Sequence, residues 1–186
     1  MTSARHYSYA EYLATLAETH LKLEYYEGCI YAMAGGTREH AALSVAIASL
    51  LRDALKGSCT VLSSDAKIFV EATGLATFPD VSVLCAPPKD AAIDPNATTN
   101  PTLLVEVTSP STEDYDRGEK TSHYKQIPSL RAILFVSHRE KRVTVVEREG
   151  SGWRETEVRS GEVVKLDSPA CAIPVDSVYE GIDVAR

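Results

Sequence analysis

Apolar residues recur along this chain with two periods, and the switches between them divide it into elements. Ser8-Tyr9-Ala10-Glu11 is a capping-box pattern, in which hydroxyl and carboxylate satisfy each other's backbone N–H groups, and it predicts a helix to about Glu18. Two short runs within Leu21 to Met33, on either side of Glu27-Gly28, predict a hairpin. Gly35-Gly36-Thr37 ends it. The clearest helix follows, from about Arg38 to Leu55: Leu43, Ile47, Leu50, Leu51 and Leu55 fall at helical spacing, Thr37 is placed to cap, and Gly57 stops it.

Strand-like stretches come next at Thr60–Val70, Asp80–Cys85 and Thr102–Thr108. Between the last two, Pro87, Pro88, Pro95 and Pro101 exclude a helix and predict a long loop. A parallel pair needs a crossover, usually helical, so these two strands are expected to be antiparallel neighbours. The next connection differs. Asp116 to Gln126 reads as helical, Pro128 ends it, and Arg131 to Val136 is a buried strand, which makes a βαβ unit with Thr102–Thr108 and Arg131–Val136 parallel. A meander follows at Arg142–Glu147, Trp153–Val158 and Val163–Leu166, with a short helix near Asp176–Glu180. The expected fold is a single α/β domain, residues 1–186, built on a mixed sheet.

Composition narrows the class. The 186 residues are 44% hydrophobic and 24% charged, which excludes disorder, collagen and coiled-coil rods. No apolar run approaches the ~18 residues of a membrane span, and MTSARHYSYAEY has no signal-peptide core, so the expectation is a soluble, cytoplasmic protein without membrane partners. The four cysteines (Cys29, Cys59, Cys85, Cys171) form no CxxC pair and read as small reduced core residues. With 26 acidic residues against 19 Lys plus Arg, the net charge of −7 argues against coating nucleic acid by bulk charge but leaves a local site open.

Two carboxylates stand where carboxylates are costly. Asp80 opens the apolar strand Val81-Ser82-Val83-Leu84, and Glu106 lies inside Leu103-Leu104-Val105-Glu106-Val107. A buried lone charge needs a partner or a metal. On adjacent antiparallel strands both acids can project from one face, and a hard cation such as magnesium or manganese relieves their repulsion. The bland alternative is that Asp80 caps a turn and Glu106 pairs with Arg or Lys. Asp116, Lys120 and Tyr124 share a helical face at i, i+4, i+8, either turned toward the acids or as a solvated pair worth a few tenths of a kcal/mol. No phosphate-binding glycine loop, HExxH or GxSxG is present, and Ser109, His123 and Asp116 have no nucleophile turn to make them a triad.

Phe78-Pro79-Asp80 followed after 25 residues by Glu106-Val107-Thr108 resembles the PD-(D/E)XK nuclease signature with its last lysine replaced. The chain is more closely similar to the Uma-type restriction endonuclease family, over roughly residues 7 to 150. The matching segments are Glu24-Tyr25-Tyr26-Glu27-Gly28, Met33-Ala34-Gly35-Gly36-Thr37, His40, Ser64-Asp65, Phe78-Pro79-Asp80-Val81-Ser82-Val83 and Asn100-Pro101, then Val105-Glu106-Val107, Ser109-Pro110-Ser111-Thr112 and Tyr115-Asp116-Arg117-Gly118-Glu119-Lys120 with Tyr124.

The resemblance implies a restriction-endonuclease-like core and hydrolysis of DNA phosphodiester bonds with Mg2+ or Mn2+. Asp80 and Glu106 map onto the metal-binding acids, and Lys120, on the following helix, takes over from the lysine that Thr108 replaces. Glu24, His40, Asp65, Asp116 and Tyr124 are auxiliary candidates. Arg117, Lys120 and Lys125 on the helix are candidate nucleic-acid contacts, as are Arg139, Lys141 and Arg142 in the hairpin turn, although these three, interspersed with Glu140, read more simply as a solvated mixed-charge turn. Nucleases that cut both strands are often dimers, so a homodimer is expected, with the C-terminal meander and the aliphatic segment around Ala170 to Val178 as a candidate interface. The reading from another class is a catalytically inactive nuclease-fold module that binds a protein or nucleic acid.

Overall fold

The computed structural model describes residues 6–19, 21–33, 35–109 and 113–184. Residues 1–5, Ala34 and residues 110–112, which enter the N-terminal reading and two of the motifs above, lie outside the described residues. Helix α1 (Tyr9–Glu18) leads to strands β1 (Leu23–Tyr26) and β2 (Cys29–Ala32) and then to the long helix α2 (Arg38–Ala54). Seven strands follow: β3 (Thr60–Ser63), β4 (Lys67–Val70), β5 (Leu75–Thr77), β6 (Val81–Leu84), β7 (Asp90–Ala91), β8 (Asp94–Thr98) and β9 (Leu103–Val107). A continuous helical segment is α3 (Glu113–Tyr115), a π-helical turn (Asp116–Lys120) and α4 (Thr121–Tyr124). Strands β10 (Ala132–Val136), β11 (Arg142–Glu149), β12 (Gly152–Arg159), β13 (Val163–Asp167) and β14 (Ala170–Pro174), then helix α5 (Val175–Val178), complete the order.

Local chemistry accounts for the expected elements. Ser8 and Glu11 form the reciprocal capping box of α1, with Glu11 N–H donating to Ser8 Oγ at 3.2 Å and Ser8 N–H to Glu11 Oε2 at 2.7 Å. Thr37 caps α2 by accepting the His40 N–H. Glu27 and Gly28 both take positive φ, the two-residue turn whose twist matches a tight hairpin, and Tyr26 pairs with Cys29.

The central sheet runs β12-β11-β10-β9-β6-β3, with β6 antiparallel and β10 parallel to β9, as the connections predict. One face packs on α2 through Leu43, Ile47 and Leu51 against Val81, Val105 and Val107. The other packs on Tyr124, Ile127 and Leu130 and on Ile68, Val70 and Leu75 of a second sheet, ordered β2-β1-β5-β4-β8-β7. Two layers of strand therefore enclose the helical segment 113–124 near the end of β9. No helix among the described residues is long and apolar enough to cross a membrane.

The structure corrects four expectations. Thr60–Val70 is two strands in different sheets, because the Ser64-Asp65 turn redirects the chain. The proline-rich loop holds the β7–β8 hairpin: Pro87, Pro88 and Pro101 lie outside it, and Pro95 sits where the ladder is irregular, so none removes a paired N–H. Val163–Leu166 does not continue the meander: as β13 it pairs with β14 in a separate two-stranded sheet, and Ile173, Val175 and Val178 of β14 and α5 are buried in the core with α2. Cys59 and Cys85 are joined by a disulfide, since the pairing of Thr60 with Leu84 sets them opposite each other across β3 and β6. Cys29 and Cys171 are free.

The second sheet is pinned to α1 by a buried charge pair. Lys67 Nζ lies 2.6 Å from Asp94 Oδ2, which also accepts the Tyr9 hydroxyl at 2.9 Å, while Asp94 Oδ1 accepts the Asn96 N–H. Burial alone would raise the Asp94 carboxyl, but these hydrogen bonds outweigh it and hold it below its ordinary 3.8.

Removing one partner strands a buried charge, so Lys67→Ala is expected to cost about 3–5 kcal/mol in urea unfolding at neutral pH. A depressed folded-state carboxyl stabilises above its ordinary value and loses that contribution as pH falls through the folded value. The penalty of Asp94→Asn should therefore shrink in melts below pH 3.8. Alkylation of the denatured chain without reductant should label Cys29 and Cys171 alone; labelling at Cys59 or Cys85 would contradict the disulfide.

Candidate active site

The register of β6 and β9 ends with Val81 opposite Val105, so the next residues outward, Asp80 and Glu106, face each other. Period-two alternation turns both acids away from the α2 face, toward the helical segment 113–124. Asp80 remains 17% exposed at the strand mouth, where its Oδ2 accepts the Val107 N–H at 2.7 Å. Glu106 lies deeper, and its Oε1 accepts the Tyr124 hydroxyl at 2.6 Å.

Lys120 closes the cluster from the π-helical turn. Its Nζ stands 3.0 Å from Glu106 Oε1, 3.4 Å from Glu24 Oε1 and 3.6 Å from Asp116 Oδ1. Glu24 comes from β1 in the second sheet and also accepts a very short hydrogen bond from Thr77 on β5. Single π turns inside helices recur at functional sites, and here the widened turn is tied by the Thr121 hydroxyl donating to the Asp116 carbonyl at 2.6 Å.

The electrostatics follow from the count of charges. Burial pushes Glu106 up to about 8, and the charges of Asp116 and Asp80 add to this against the pull of Lys120. For Lys120 burial acts downward, but Glu106, Tyr124, Glu24 and Asp116 outweigh it and raise it well above 10.5. The two directions differ in their main cause: burial dominates at Glu106, whereas at Lys120 the surrounding carboxylates prevail over burial. Burial, reinforced by Glu106, likewise keeps Tyr124 a neutral phenol that donates.

His40, in the first turn of α2, places Nε2 3.3 Å from Asp80 Oδ2. The hydrogen bond to Asp80 raises its pKa above the ordinary 6.5 against the opposing effect of burial. The ring can lie there because Gly36 has no side chain: a Cβ would stand 2.8 Å from His40 Nδ1.

Of the candidates from sequence, Asp80, Glu106, Lys120, Glu24, Asp116, Tyr124 and His40 gather here. Three do not. Asp65 is 82% exposed in the β3–β4 turn and pairs with Lys22 at 2.8 Å, which lowers its pKa. Arg117 is spent on structure, donating to Thr144, pairing with Glu113 and Glu155, and stacking 5.0 Å over Phe135. Lys125 ends α4, where its carbonyl accepts from Arg148. Thr77 and His138, whose Nδ1 lies 2.9 Å from the Thr108 hydroxyl, escaped the sequence reading; only Thr108, at the signature's lysine position, pointed toward either of them, while Gly36 stood in a matching segment without a stated role in the site.

Among the described residues, no three His, Cys, Asp or Glu side chains stand at metal-binding spacing. The donor chemistry nevertheless fits a hard divalent cation: Asp80 and Glu106 offer carboxylate oxygens, acids outnumber cations, and a positive charge would relieve the buried Glu106.

A mixed-sheet α+β fold that gathers an Asp, a Glu and a Lys at the mouth of two central strands has the architecture of restriction-endonuclease-like nucleases. The chain belongs to the Uma2 family, described as "Putative restriction endonuclease", which it matches over residues 9–174. It is 37% identical over 174 residues to "Uncharacterized protein slr1290" of Synechocystis sp., covering 92% of this chain and 90% of that one. A second Synechocystis protein, "Uncharacterized protein sll1609", is 29% identical over 160 residues, covering 85% and 90%. The fold is shared with the crystal structure of "a putative nuclease belonging to DUF820" from Anabaena variabilis, with a TM-score of 0.75 at 14% identity over 93% of this chain and 98% of that one.

Removing Lys120 leaves three buried acids without a counter-charge, so Lys120→Met should lower stability by about 3–5 kcal/mol. Tyr124→Phe, which removes one hydrogen bond to a buried carboxylate, should cost about 1–3 kcal/mol. Urea melts check both, and a Lys120→Met loss below that of Tyr124→Phe would contradict the shared-ammonium account.

Proposed function

We propose that the chain is a divalent-metal-dependent endonuclease that hydrolyses DNA phosphodiester bonds, acting as one nuclease domain per subunit of a homodimer. The observation that carries this reading is the gathering of Asp80, Glu106 and Lys120 at one strand mouth inside a chain of the restriction endonuclease family. Asp80 and Glu106 are the residues that would hold Mg2+ or Mn2+, which when bound supplies an activated water and neutralises charge on the phosphate.

The chain's own groups divide the remaining work. Lys120 is held charged by its acids, so its Nζ serves as fixed positive charge beside Glu106 and not as a proton acceptor. His40 lies at the partly exposed mouth, where the hydrogen bond to Asp80 raises its pKa, and its Nε2 is placed to pass a proton to the leaving oxygen. The buried Tyr124 hydroxyl and Glu24 hold Glu106 and Lys120 in place.

One observation favours a second reading, an inactive module that binds DNA or protein: Glu106 and Lys120 are only 4% and 3% exposed. Nicking of supercoiled DNA separates the two. The nuclease reading expects cutting with Mg2+ or Mn2+, its abolition by EDTA, and a loss of at least about 100-fold in Asp80→Asn. Asp80→Asn cutting at the wild-type rate would overturn it, and intact DNA with either metal would favour the binding module.

A further inference from the structure

The end of β9 carries a second constellation that the acid cluster does not use. Thr108 stands two residues beyond Glu106 and is fully buried. Its Oγ1 lies 2.9 Å from His138 Nδ1 and accepts the His138 backbone N–H at 3.3 Å. On the other side of the ring, Arg139 Nε donates to His138 Nε2 at 3.2 Å. A ring nitrogen that accepts must keep its lone pair, so the imidazole proton sits on Nδ1 and is donated to Thr108. Thr108 thereby orients the ring, and the ring orients the guanidinium. The Arg139 N–H donates to Ser137 Oγ at 3.2 Å, which shapes the turn beyond β10.

Solvent access decides from which side a substrate reaches the cluster. Glu106 and Lys120 are sealed, whereas Asp80 and His40 are partly exposed and His138 lies close enough to feel the charge of His40. Arg139, on that open side, is 64% exposed. Its Nη2 rests 3.2 Å from Glu113 Oε2, and its Nη1 donors have no partner among the described residues. A phosphodiester approaching surplus carboxylate meets repulsion, and a planar guanidinium fork is the side chain best matched to phosphate oxygens.

We propose that Arg139, held in place by Thr108 through His138, is the substrate-phosphate contact of this site, gripping a backbone phosphate at the open mouth beside Asp80 and His40. Thr108, at the signature's lysine position, is then a positioning residue. The proposal rests on the nuclease reading for its substrate, and its test is independent of turnover.

A fluorescently labelled DNA duplex is titrated with the full chain in EDTA across a series of salt concentrations. Arg139→Gln should weaken binding about tenfold and reduce the slope of log K against log salt by about 1, while Arg139→Lys retains the slope. Thr108→Val should weaken binding while Arg139 is intact, with circular dichroism confirming the fold. Arg154→Gln, at the opposite end of the β11–β12 hairpin, should bind as wild type. Wild-type affinity and slope in Arg139→Gln, or a wild-type chain that does not bind the duplex, would overturn the proposal. Because metal is absent, a failure here leaves metal-dependent cutting standing, and a failure to cut leaves this contact standing.

Discussion

Three buried carboxylates leaning on a single ammonium constrain everything around the end of β9. Glu106 comes from the central sheet, Glu24 from the second sheet, and Asp116 from the same π-helical turn as Lys120. Taking such charges out of water costs several kcal/mol each, and the geometry recovers it only if all three acids reach the same Nζ. The requirement joins the two sheets and the helical segment between them, so the layers cannot shift without exposing or stranding a charge. Hydroxyls supply the rest: Tyr124 donates to Glu106, and Thr77 donates to Glu24.

That arrangement is deficient in positive charge, which turns a packing constraint into a chemical one. The ammonium is pinned in its charged form, so on the proposed function proton transfer falls to His40 at the partly exposed mouth. The chain as a whole carries −7, and an anionic substrate is repelled unless positive charge lies on its path. Arg139, held by the His138 imidazole and by Glu113, is the cation we propose on that path.

Much of this was legible in the residues, and the failures share a cause. Absence of helix-permitting sequence between Pro87 and Pro101 was enough to make β6 and β9 antiparallel, which set Asp80 against Glu106. Helical spacing was enough to bring Asp116, Lys120 and Tyr124 to one side. What escaped depends on pairings between residues far apart in the chain. The Cys59–Cys85 bond follows from strand register, the β7–β8 hairpin from which N–H groups its prolines leave free, and the burial of Ile173, Val175 and Val178 from the position of α2. Arg117 and Asp65 lie apart from the acid cluster for the same reason: a charged residue near a motif goes to whichever partner the fold presents, here Glu113 with Glu155, and Lys22. His138 carried no local signal, because its meeting with Thr108 spans 30 residues.

The central claim, that a surplus of acid around one ammonium makes the strand mouth a cation site, is tested most directly by Mn2+ titration of the purified chain followed by electron paramagnetic resonance. The account predicts a bound ion in the wild type whose affinity falls at least about tenfold in Asp80→Asn, a substitution at the partly exposed acid that spares the buried cluster. Equal Mn2+ affinity in the two proteins would contradict it.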